Sequence, residues 1–509
     1  MHNSKIAQTT FVITLVLLIS KFSGFLRDVA LAYAYGTSIE ADAFVLAQSV
    51  LSIFSYLLFV ALGIAFIPIY SKLKLSENNS DLDAFVDSTY SVAGTIILIF
   101  CVLGIIGADL LVYLLAPGFS DEAHRLGVIL TRILVPTIIF TFVSTIQGQQ
   151  LRGNNIFMPS AFLAYPLNII LVFAFLFISP LWGIQGVAIA FIIGTILQIL
   201  MLYPFVKKLG YRFHYKFDIH NDGLHKILAL TLPIMIGNTI QTIDILINRI
   251  LASGLTEGSM AALNYSNKLA IFLVGVVSLG AGTVCYTKMS ELSASNKNDE
   301  FKRFLKNIIN LLNLIVVPAT IGMMVLHIPI TKFVFEYGAF DSSSSEMTSV
   351  TLWFYSMGLV GFVLRDIITR AFFALNDAKT PMMNGGIAVG IGITFNFILV
   401  GHLGVGGLAL ATSISGIAGT LLLLVSLRKK LGPMGLREIS ITFLKTGIAS
   451  AVMGVSVHYL YFMIYYRTEI LSFALLLSVL CGILIYCFLI FFMKIKEVVF
   501  VIQSIKSRI

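Results

Sequence analysis

Long apolar stretches separated by short polar connectors recur along the whole chain. A helix needs roughly 20 mostly apolar residues to cross about 30 Å of hydrocarbon, and about fourteen stretches reach that length. They lie at residues 8–34, 41–70, 86–116, 124–150, 159–179, 184–206, 225–251, 260–288, 304–334, 348–374, 382–401, 405–427, 440–465 and 470–493. They lack the two-residue alternation of membrane barrel strands, so their backbone groups must be satisfied as helices. The pattern predicts an all-α, polytopic membrane protein.

The composition supports this prediction. Of the 509 residues, 58% are hydrophobic and only 12% are charged, which is far outside the range of soluble globular proteins. No small-residue cleavage pattern follows the first stretch, so we expect a retained span rather than a signal peptide. The four cysteines are Cys101, Cys285, Cys481 and Cys487. They lie in apolar stretches without paired spacing, so neither a disulfide framework nor a zinc site is predicted.

Basic residues are concentrated in every second connector, and this asymmetry predicts the orientation. The connectors that follow even-numbered spans contain Lys72, Lys74, Lys207, Lys208, Arg212, Lys216, Lys297, Lys302, Arg303, Arg428, Lys429, Lys430 and Arg437. The opposite connectors contain few, so we predict that both termini are cytoplasmic. The net charge of +9 arises mostly from this bias, and no nucleic-acid binding is expected.

Two parts of the chain resemble each other at an offset of about 221 to 228 residues. The segments "PSAFLAYPLNIILV" and "WGIQGVAIAFIIGT" match "PMMNGGIAVGIGITFNFILV" and "LGVGGLALATSISG". The matched residues are Pro159 with Pro381, Asn168 with Asn396, Gly183 with Gly404, and Gly186 with Gly407. Chance similarity between helices rich in small residues is the alternative. The offset carries six spans onto the next six, so we expect two halves of the same orientation that face each other across a central cleft.

This repeat predicts five parts of the chain. They are an N-terminal six-helix bundle (1–206), a cytoplasmic linker (207–224), a C-terminal six-helix bundle (225–428), two additional helices (440–493) and a cytoplasmic tail (494–509). The linker "KKLGYRFHYKFDIHNDGL" is the longest cytoplasmic connection and is the natural hinge between the halves.

Ionisable residues inside the predicted spans are numerous. Each costs about 2.5–3.5 kcal/mol near the bilayer centre, against roughly 0.3–0.6 kcal/mol gained per large apolar residue. The set is Lys21, Arg27, Asp28, Asp42, Arg132, Asp244, Arg249, Lys268, Arg365, Asp366, Arg370 and Lys445. Cations exceed acids, and such a collection indicates a function.

Lys21 is the clearest case. It lies about a dozen residues into its helix, near the midplane, where its head cannot easily reach the interface. Gly24 permits a kink or a close approach, so we expect Lys21 and Arg27 to turn into a shared water-filled cavity. Lys21 and Lys268 have no acid nearby in the sequence, and we expect both to contact a ligand.

Other charges have structural explanations that stay open. Arg370 and Lys445 lie within about two turns of a cytoplasmic end, which favours anchors that reach the interface. Ion pairs within the protein are the alternative for Asp244 with Arg249 and for Arg365 with Asp366. Arg27 and Asp28 could instead pair with Asp42 or with neighbouring polar groups.

A cationic cavity at mid-membrane suits an anion. Phosphate or diphosphate is the natural candidate, because Arg offers a bidentate fork and Lys a mobile point charge. An amphipathic substrate also requires a side opening for its lipid part.

Three short motifs make the chain recognisable. They are "SKFSGFLRD" (20–28) followed by "YGTSIEADAF" (35–44), "NYSNKL" (264–269) and "RAFFALNDAKTP" (370–381). Together they resemble the MurJ (MviN) family of lipid II flippases, within the multidrug/oligosaccharidyl-lipid/polysaccharide (MOP) exporter superfamily. The resemblance covers essentially the whole chain.

The resemblance implies a role in peptidoglycan biosynthesis, and hence in cell wall biogenesis and cell shape. The family carries an undecaprenyl-diphosphate-linked precursor from the inner to the outer leaflet of the bacterial cytoplasmic membrane by alternating access. Its functional residues would fall here on Lys21, Arg27, Lys268 and Asp42. We add Asp28, Arg249, Arg365 and Asn267 as supporting candidates.

The chain departs from the family pattern in three places. Two basic positions hold Lys where Arg is usual, which loses the planar fork. The second-span arginine has no counterpart in "QSVLSIFSYLLFVAL" (48–62), and Asn267 stands where an acid commonly precedes the cation. A related polyprenyl-diphosphate-linked oligosaccharide is therefore the alternative cargo.

The expected partners are a lipid-linked diphosphate oligosaccharide and membrane lipid. The diphosphate would enter laterally from the cytoplasmic side, and rocking of the halves would release it outside. No nucleotide-binding motif is present, so ATP is not the expected driver. A coupling cation and the membrane potential are the sources of energy left open. No cofactor, catalytic residue or metal ligand is predicted.

Two other classes of protein are alternatives to this one. A drug or organic-cation exporter predicts acids rather than bases in the central cavity. A membrane-embedded glycan polymerase or ligase requires a catalytic acid or His on an ordered outer loop, whereas the longest such connector, "FEYGAFDSSSSEM" (335–347), reads as a polar turn. We therefore expect a transporter and not an enzyme.

Overall fold

The computed structural model describes residues 2–55, 59, 61–75 and 79–493. The helices, numbered in chain order, are α1 (His2–Tyr35), α2 (Ile39–Ser55), α3 (Ala61–Leu75), α4 (Asn79–Ser88), α5 (Gly94–Ile106), α6 (Ala108–Leu115), α7 (Asp121–Leu134), α8 (Thr137–Gly153), α9 (Met158–Ala161), α10 (Tyr165–Phe173), α11 (Ser179–Lys207), α12 (Asp222–Ser253), α13 (Ser259–Ala294), α14 (Asn298–Val325), α15 (His327–Phe335), α16 (Ser342–Met357), α17 (Leu359–Ala374), α18 (Lys379–Leu403), α19 (Val405–Leu431), α20 (Leu436–Thr468) and α21 (Leu471–Phe492). Two π-helical turns, Thr89–Ala93 and Ala174–Ile178, lie between α4 and α5 and between α10 and α11. No strand occurs in these ranges, and the all-α prediction is confirmed. The predicted tail, 494–509, lies outside the described residues.

The described helices give fewer candidate spans than the sequence pattern does. Within the described residues, nine helical segments are long and apolar enough to cross a membrane, or ten if the bent pair α16 and α17 forms one span. One of these segments, Met158–Lys207, contains two of the predicted spans. Gly183 divides it, because its φ of 60° and ψ of −164° interrupt the helix. The count of fourteen stays a prediction.

The backbone conformation supports the predicted duplication. Three pairs of residues have positive φ at the same offset of about 221 residues. The pairs are Gly36 with Gly258 (55° and 84°), Asn155 with Asn376 (60° and 56°), and Gly183 with Gly404 (60° and 54°). Positive φ is uncommon outside glycine, so the agreement at the asparagine pair is informative. The two halves therefore turn their chains in the same way at corresponding junctions.

Contacts divide the chain into two compact units. The first is Met1–Asn264 with Tyr337–Phe340, and the second is Tyr265–Glu336 with Asp341–Ile509. The division after Asn264 follows contacts, whereas the predicted boundary at 207–224 follows the repeat. The five-part division therefore stays a prediction.

The last two helices, α20 and α21, belong to the second unit and pack against its other helices. Leu326, Met453, Tyr461 and Tyr486 belong to one buried cluster that joins α20 and α21 to the end of α14. The Tyr486 hydroxyl donates a hydrogen bond to the Leu314 carbonyl (2.8 Å). These helices thus share a core with the second half of the repeat.

Candidate functional site

Helix α1 meets α10 through polar atoms in an otherwise apolar setting. Asn168 on α10 donates through Nδ2 to the Ser23 hydroxyl (2.9 Å), and the Tyr165 hydroxyl donates to the Val16 carbonyl (2.9 Å). A methyl group at Gly24 would lie 3.6 Å from Nδ2 of Asn168, an ordinary contact, so this approach does not itself require glycine. Specific hydrogen bonds therefore fix the position of α1, in a medium where water does not compete for them.

Arg27 is held by two neighbours. Its Nε and Nη2 donate to Oδ1 of Asp28 at 3.1 and 2.8 Å, and its Nη1 donates to Oδ1 of Asn168 at 3.4 Å. The Arg27 side chain is 17% exposed, and that of Asp28 only 4%. A buried carboxylate needs such a partner, because an isolated charge is very costly in a low dielectric. An anionic ligand at Arg27 must therefore either displace the Asp28 carboxylate from the guanidinium or bind Arg27 while Asp28 stays paired with it.

Lys21 has a different environment. Its side chain is exposed, and it lies on α1 two turns before the buried Asp28, on the same stripe of the helix. Lys21 and Arg27 are about 9 Å apart along the helix axis and about 120° apart around it. The two cations thus belong to one helix but to different faces, and the predicted shared cavity stays a prediction.

Asp42 lies at the start of α2 and caps another helix. Its Oδ2 accepts from the amide of Gly258 (2.8 Å), the residue just before α13, and its Oδ1 accepts from the amide of Ala261 (2.7 Å) in the first turn of that helix. The side chain is buried, with 5% of Asp42 exposed. Amide groups at a helix start have no partner within the helix, and the helix dipole also favours a negative charge there. In this conformation both carboxylate oxygens of Asp42 are therefore occupied by backbone donors.

Arg249 on α12 completes the same junction. Its Nε donates to the Ser49 hydroxyl on α2 (3.0 Å), and its Nη1 donates to the Met260 carbonyl (3.4 Å). Ser49 is two turns after Asp42, so both side chains lie on one face of α2. We call these contacts of Asp42 and Arg249 the latch. The latch joins α2 to the hairpin formed by α12 and the start of α13.

Four connectors of the first unit meet beside the latch. The Gly118 amide donates to the Ser253 hydroxyl (3.1 Å), and the Ala339 amide donates to the Tyr33 carbonyl (2.8 Å). A methyl group at Gly258 would collide with the Thr37 carbonyl oxygen, so the backbones there are in direct contact. The connectors are 36–38, 117–120, 254–258 and 337–340, which we call the four-loop layer. Their close contact leaves little room for a polar headgroup to pass through this part of the first unit.

The remaining predicted residues belong to the second unit. Lys268 and Asn267 are half-buried on α13. Arg365 on α17 lies against α19, where a methyl group at Gly419 would be 3.3 Å from its Cδ. Asp366 pairs with Arg370 one turn later (3.1 Å). The candidate residues are thus divided, with Lys21, Arg27, Asp28, Asp42 and Arg249 in the first unit and Asn267, Lys268 and Arg365 in the second.

The motif "RAFFALNDAKTP" forms a corner between α17 and α18. Asp377 accepts from the Thr380 amide (3.0 Å), from its hydroxyl (2.9 Å) and from Lys430 (2.6 Å). The hydrogen bond from Lys430, followed by the one from the Thr380 amide, is the main reason that the pKa of Asp377 falls to about 2, from its ordinary value of 3.8. The matching corner of the first half uses Asn154, which accepts from Lys74 (2.6 Å). This motif therefore has a structural role.

Sequence reasoning missed two contributors. In the sequence Asn168 stands out only as a marker of the repeat, although in the structure it orients Arg27. Ser49, which accepts from Arg249, is not among the predicted residues. The pairing of Asn168 with Asn396 was the available signal, because both are polar and buried within apolar helices. No local pattern indicated Ser49, whose partner is 200 residues away in the chain.

A family model described as lipid II flippase MurJ matches residues 31–482 of this chain. The chain belongs to this family. The matched region contains the latch and Lys268 but begins after Lys21 and Arg27. The family consists of transporters, so the protein is not an enzyme.

Individual relatives agree with the family model. The lipid II flippase MurJ of Burkholderia cenocepacia is 28% identical over 425 residues, which cover 81% of this chain and 82% of the relative. A probable lipid II flippase MurJ of Buchnera aphidicola is 31% identical and covers 73% of each chain. These relatives are bacterial, and with the many apolar helices they indicate a multi-pass protein of the bacterial inner membrane.

Solved structures show the same fold. A structure titled "Lipid II flippase MurJ, inward closed conformation" aligns with a TM-score of 0.79 at 28% identity, covering 94% of this chain and 98% of that one. An inward-facing multidrug resistance MATE family transporter of the MOP superfamily aligns with a TM-score of 0.68 at 16% identity, covering 83% and 98%. The latter supports the fold alone.

Proposed function

We propose that this protein carries lipid II, an undecaprenyl-diphosphate-linked peptidoglycan precursor, from the inner to the outer leaflet of the cytoplasmic membrane. The observation that carries the proposal is the pair of basic side chains, Lys21 and Arg27, on a helix long enough to span the bilayer. Family membership supplies the identity of the cargo. Two cations within one membrane span cost several kcal/mol in lipid and are retained where they contact water, an acid or an anionic ligand.

The basic residues have separate roles in this proposal. Lys21 offers an exposed point charge to the diphosphate, while Arg27 presents its guanidinium in an orientation fixed by Asp28 and Asn168. Lys268 contributes from the second half, with Asn267 and Arg365 in support. Because Lys replaces Arg at two positions, the diphosphate is held by point charges more than by bidentate forks.

The latch controls access rather than binding cargo. Asp42 and Arg249 hold the four-loop layer closed while the protein awaits cargo from the inner leaflet. For the headgroup to leave on the other side, the amides of α13 must separate from Asp42. We assign this layer to the periplasmic face, because its connectors carry few basic residues, and both termini to the cytoplasm.

The membrane potential is the proposed source of energy. Moving one charge across 100 mV is worth about 2.3 kcal/mol, so a cationic site that releases its anion outside is drawn back toward the cytoplasm. Asp42 is not the site of a coupling cation in the latched conformation, because backbone amides occupy its oxygens.

A second cargo is favoured by one observation. The second span has no arginine within residues 48–62, where the family pattern places one. A different polyprenyl-diphosphate-linked oligosaccharide is the alternative. Its headgroup would lack the contact that this arginine makes.

Depletion of the protein in its host tests the function. We expect lipid II to accumulate on the inner face of the membrane, measured by quantifying lipid-linked precursors that are accessible on each face. Accumulation of another glycolipid there would select the alternative cargo. Unchanged distributions of both would reject transport of either.

Removal of single charges tests the site. Lys21→Leu, Arg27→Leu and Lys268→Leu are expected to abolish complementation while the proteins still insert into the membrane. Lys445→Leu is the matched control, since this intramembrane cation donates to the Met493 carbonyl (3.1 Å) at the end of α21. Full complementation by all three site variants would show that they do not bind the cargo.

A further inference from the structure

A second site lies in the first unit, apart from α1 and α2. A cavity of about 960 Å³ is enclosed by α5, α8, α11 and the segment that follows α11. Leu98, Phe142 and Val143 form its apolar wall. The volume is at the upper end of the range for small-molecule sites, and it is large enough for a polar headgroup with part of an acyl chain.

One wall of the cavity is the linker segment 207–216, which we call the linker wall. The Tyr211 hydroxyl and the His214 amide both donate to Oδ1 of Asp87 (2.5 and 3.0 Å), and the Lys216 amide donates to the Ser91 hydroxyl (3.0 Å). Asp87 is buried, and the hydrogen bonds from these donors offset the cost of removing its carboxyl group from water. This part of the segment predicted as the hinge is therefore hydrogen-bonded to Asp87 and Ser91 of the first unit.

The floor of the cavity is aromatic and irregular. Tyr90 stacks with Tyr211 (6.4 Å between ring centroids) and meets Phe142 edge-on (6.1 Å). It lies in the π-helical turn Thr89–Ala93, and Gly94 follows directly. Such turns are frequent at functional sites, because they widen the helix locally.

The rim of the cavity is cationic. Lys207 and Arg212 line it and are exposed, and Tyr203 and Tyr215 beside them are 54% and 70% exposed. Cations together with aromatic rings are typical of a protein surface at the level of lipid headgroups. This face also carries the basic connectors that predict the cytoplasmic side.

An unsatisfied polar group lines the interior. Gln147 is 6% exposed, and no hydrogen bond reaches its Oε1 within the described residues. A buried acceptor without a donor costs about 1–3 kcal/mol, so its presence in the cavity calls for a ligand that donates to it. In a groove that held only acyl chains, no ligand group could donate to this glutamine, and the cost of burying it would not be offset.

We propose that this cavity binds an anionic glycerophospholipid of the cytoplasmic leaflet, with its phosphate between Lys207 and Arg212, a headgroup hydroxyl donating to Gln147, and an acyl chain along Phe142 and Val143. The lipid is a resident ligand and not the cargo, so the inference stands apart from the identity of the transported molecule. Because the lipid lies against the linker wall, its presence holds that wall in place.

Native mass spectrometry of the detergent-purified full-length protein tests the site, with phosphatidylglycerol as the probe and phosphatidylcholine as its zwitterionic counterpart. Each cation near a lipid surface contributes about a fivefold effect on affinity, so the double variant Lys207→Gln, Arg212→Gln is expected to bind phosphatidylglycerol about 25-fold more weakly. Lys208→Gln is the matched control, because it removes one charge from the same segment outside the cavity lining. It is expected to change binding less than twofold.

Variants at two interior positions distinguish binding in the cavity from general attraction to the protein surface. Gly94→Leu fills the space and is expected to abolish lipid retention, whereas Gly94→Ala places a methyl 3.6 Å from Phe142 and is expected to retain it. Gln147→Leu is expected to weaken phosphatidylglycerol about fivefold without affecting phosphatidylcholine. Equal retention of the two lipids by the wild-type protein, or competition by inorganic phosphate alone, would overturn the proposal. So would unaltered binding by the folded Gly94→Leu protein.

Discussion

The latch makes a quantitative prediction about Asp42. Replacing Asp42 with Asn keeps the shape of the side chain but leaves only one oxygen to accept from Gly258 and Ala261. A hydrogen bond to a charged group contributes about 1.5–3 kcal/mol, and a neutral one about 0.5–1.5 kcal/mol. Removing a buried charge also relieves its desolvation, which offsets part of the loss. We therefore expect the latched state to lose about 1–2 kcal/mol, a shift of roughly 5- to 30-fold toward the open state.

The assay follows the four-loop layer directly. Ser253 is 5% exposed and accepts a hydrogen bond from Gly118 within that layer, so Ser253→Cys is shielded while the latch is closed. In a background without native cysteines, a membrane-impermeant maleimide applied from outside reports how often the layer opens. While the open state is the minor one, the labelling rate rises in proportion to its population. Adding Asp42→Asn is expected to raise the rate roughly 5- to 30-fold.

Asp341→Asn is the matched control. Asp341 also caps a helix, since its Oδ1 accepts from the Ser344 amide at the start of α16 (2.8 Å), but it does not belong to the latch. It is expected to leave the labelling rate unchanged. A single sharp peak in size-exclusion chromatography establishes that each variant is folded. If folded Asp42→Asn protein is labelled within twofold of its parent, the latch does not hold the layer closed.

Three further predictions concern stability, each measured as a melting temperature of the purified protein. Asn168→Ala removes the α10 partner of both Ser23 and Arg27 and is expected to cost about 1–3 kcal/mol. An unchanged melting temperature would show that these two hydrogen bonds do not stabilise the contact of α1 with α10. Gly183→Ala forces a side chain into a backbone conformation with φ 60° and is expected to cost about 1–3 kcal/mol. Gly385→Ala is its control, because at both positions no atom lies within 4 Å of the added methyl group. The control is expected to be neutral or stabilising. Asp377 stabilises the fold above its ordinary pKa of 3.8, and this contribution is lost as the pH falls toward about 2. The difference in melting temperature between wild type and Asp377→Asn should therefore shrink below about pH 4, and a difference independent of pH would contradict the pairing with Lys430.

The sequence alone determined the class of the protein. Hydropathy and the need to satisfy every backbone group in lipid are local properties, so apolar stretches predict helices without knowledge of the fold. The repeat was also readable, because Gly183 and Gly404 or Asn168 and Asn396 mark the same positions in both halves. Charged side chains are costly to insert into a membrane, and this cost identifies Lys21 and Arg27 as candidate functional residues from the sequence alone.

Only the tertiary structure decided what those charges touch. The sequence presents Asp42 as an acid in a span, and nothing local reveals that its partners are amides 216 and 219 residues further along. The same is true of the linker, whose composition suggests a free hinge although Asp87 fixes part of it. The physical reason is that the cost of burying a charge can be read from one segment, whereas the group that offsets this cost is supplied by whichever segment packs against it.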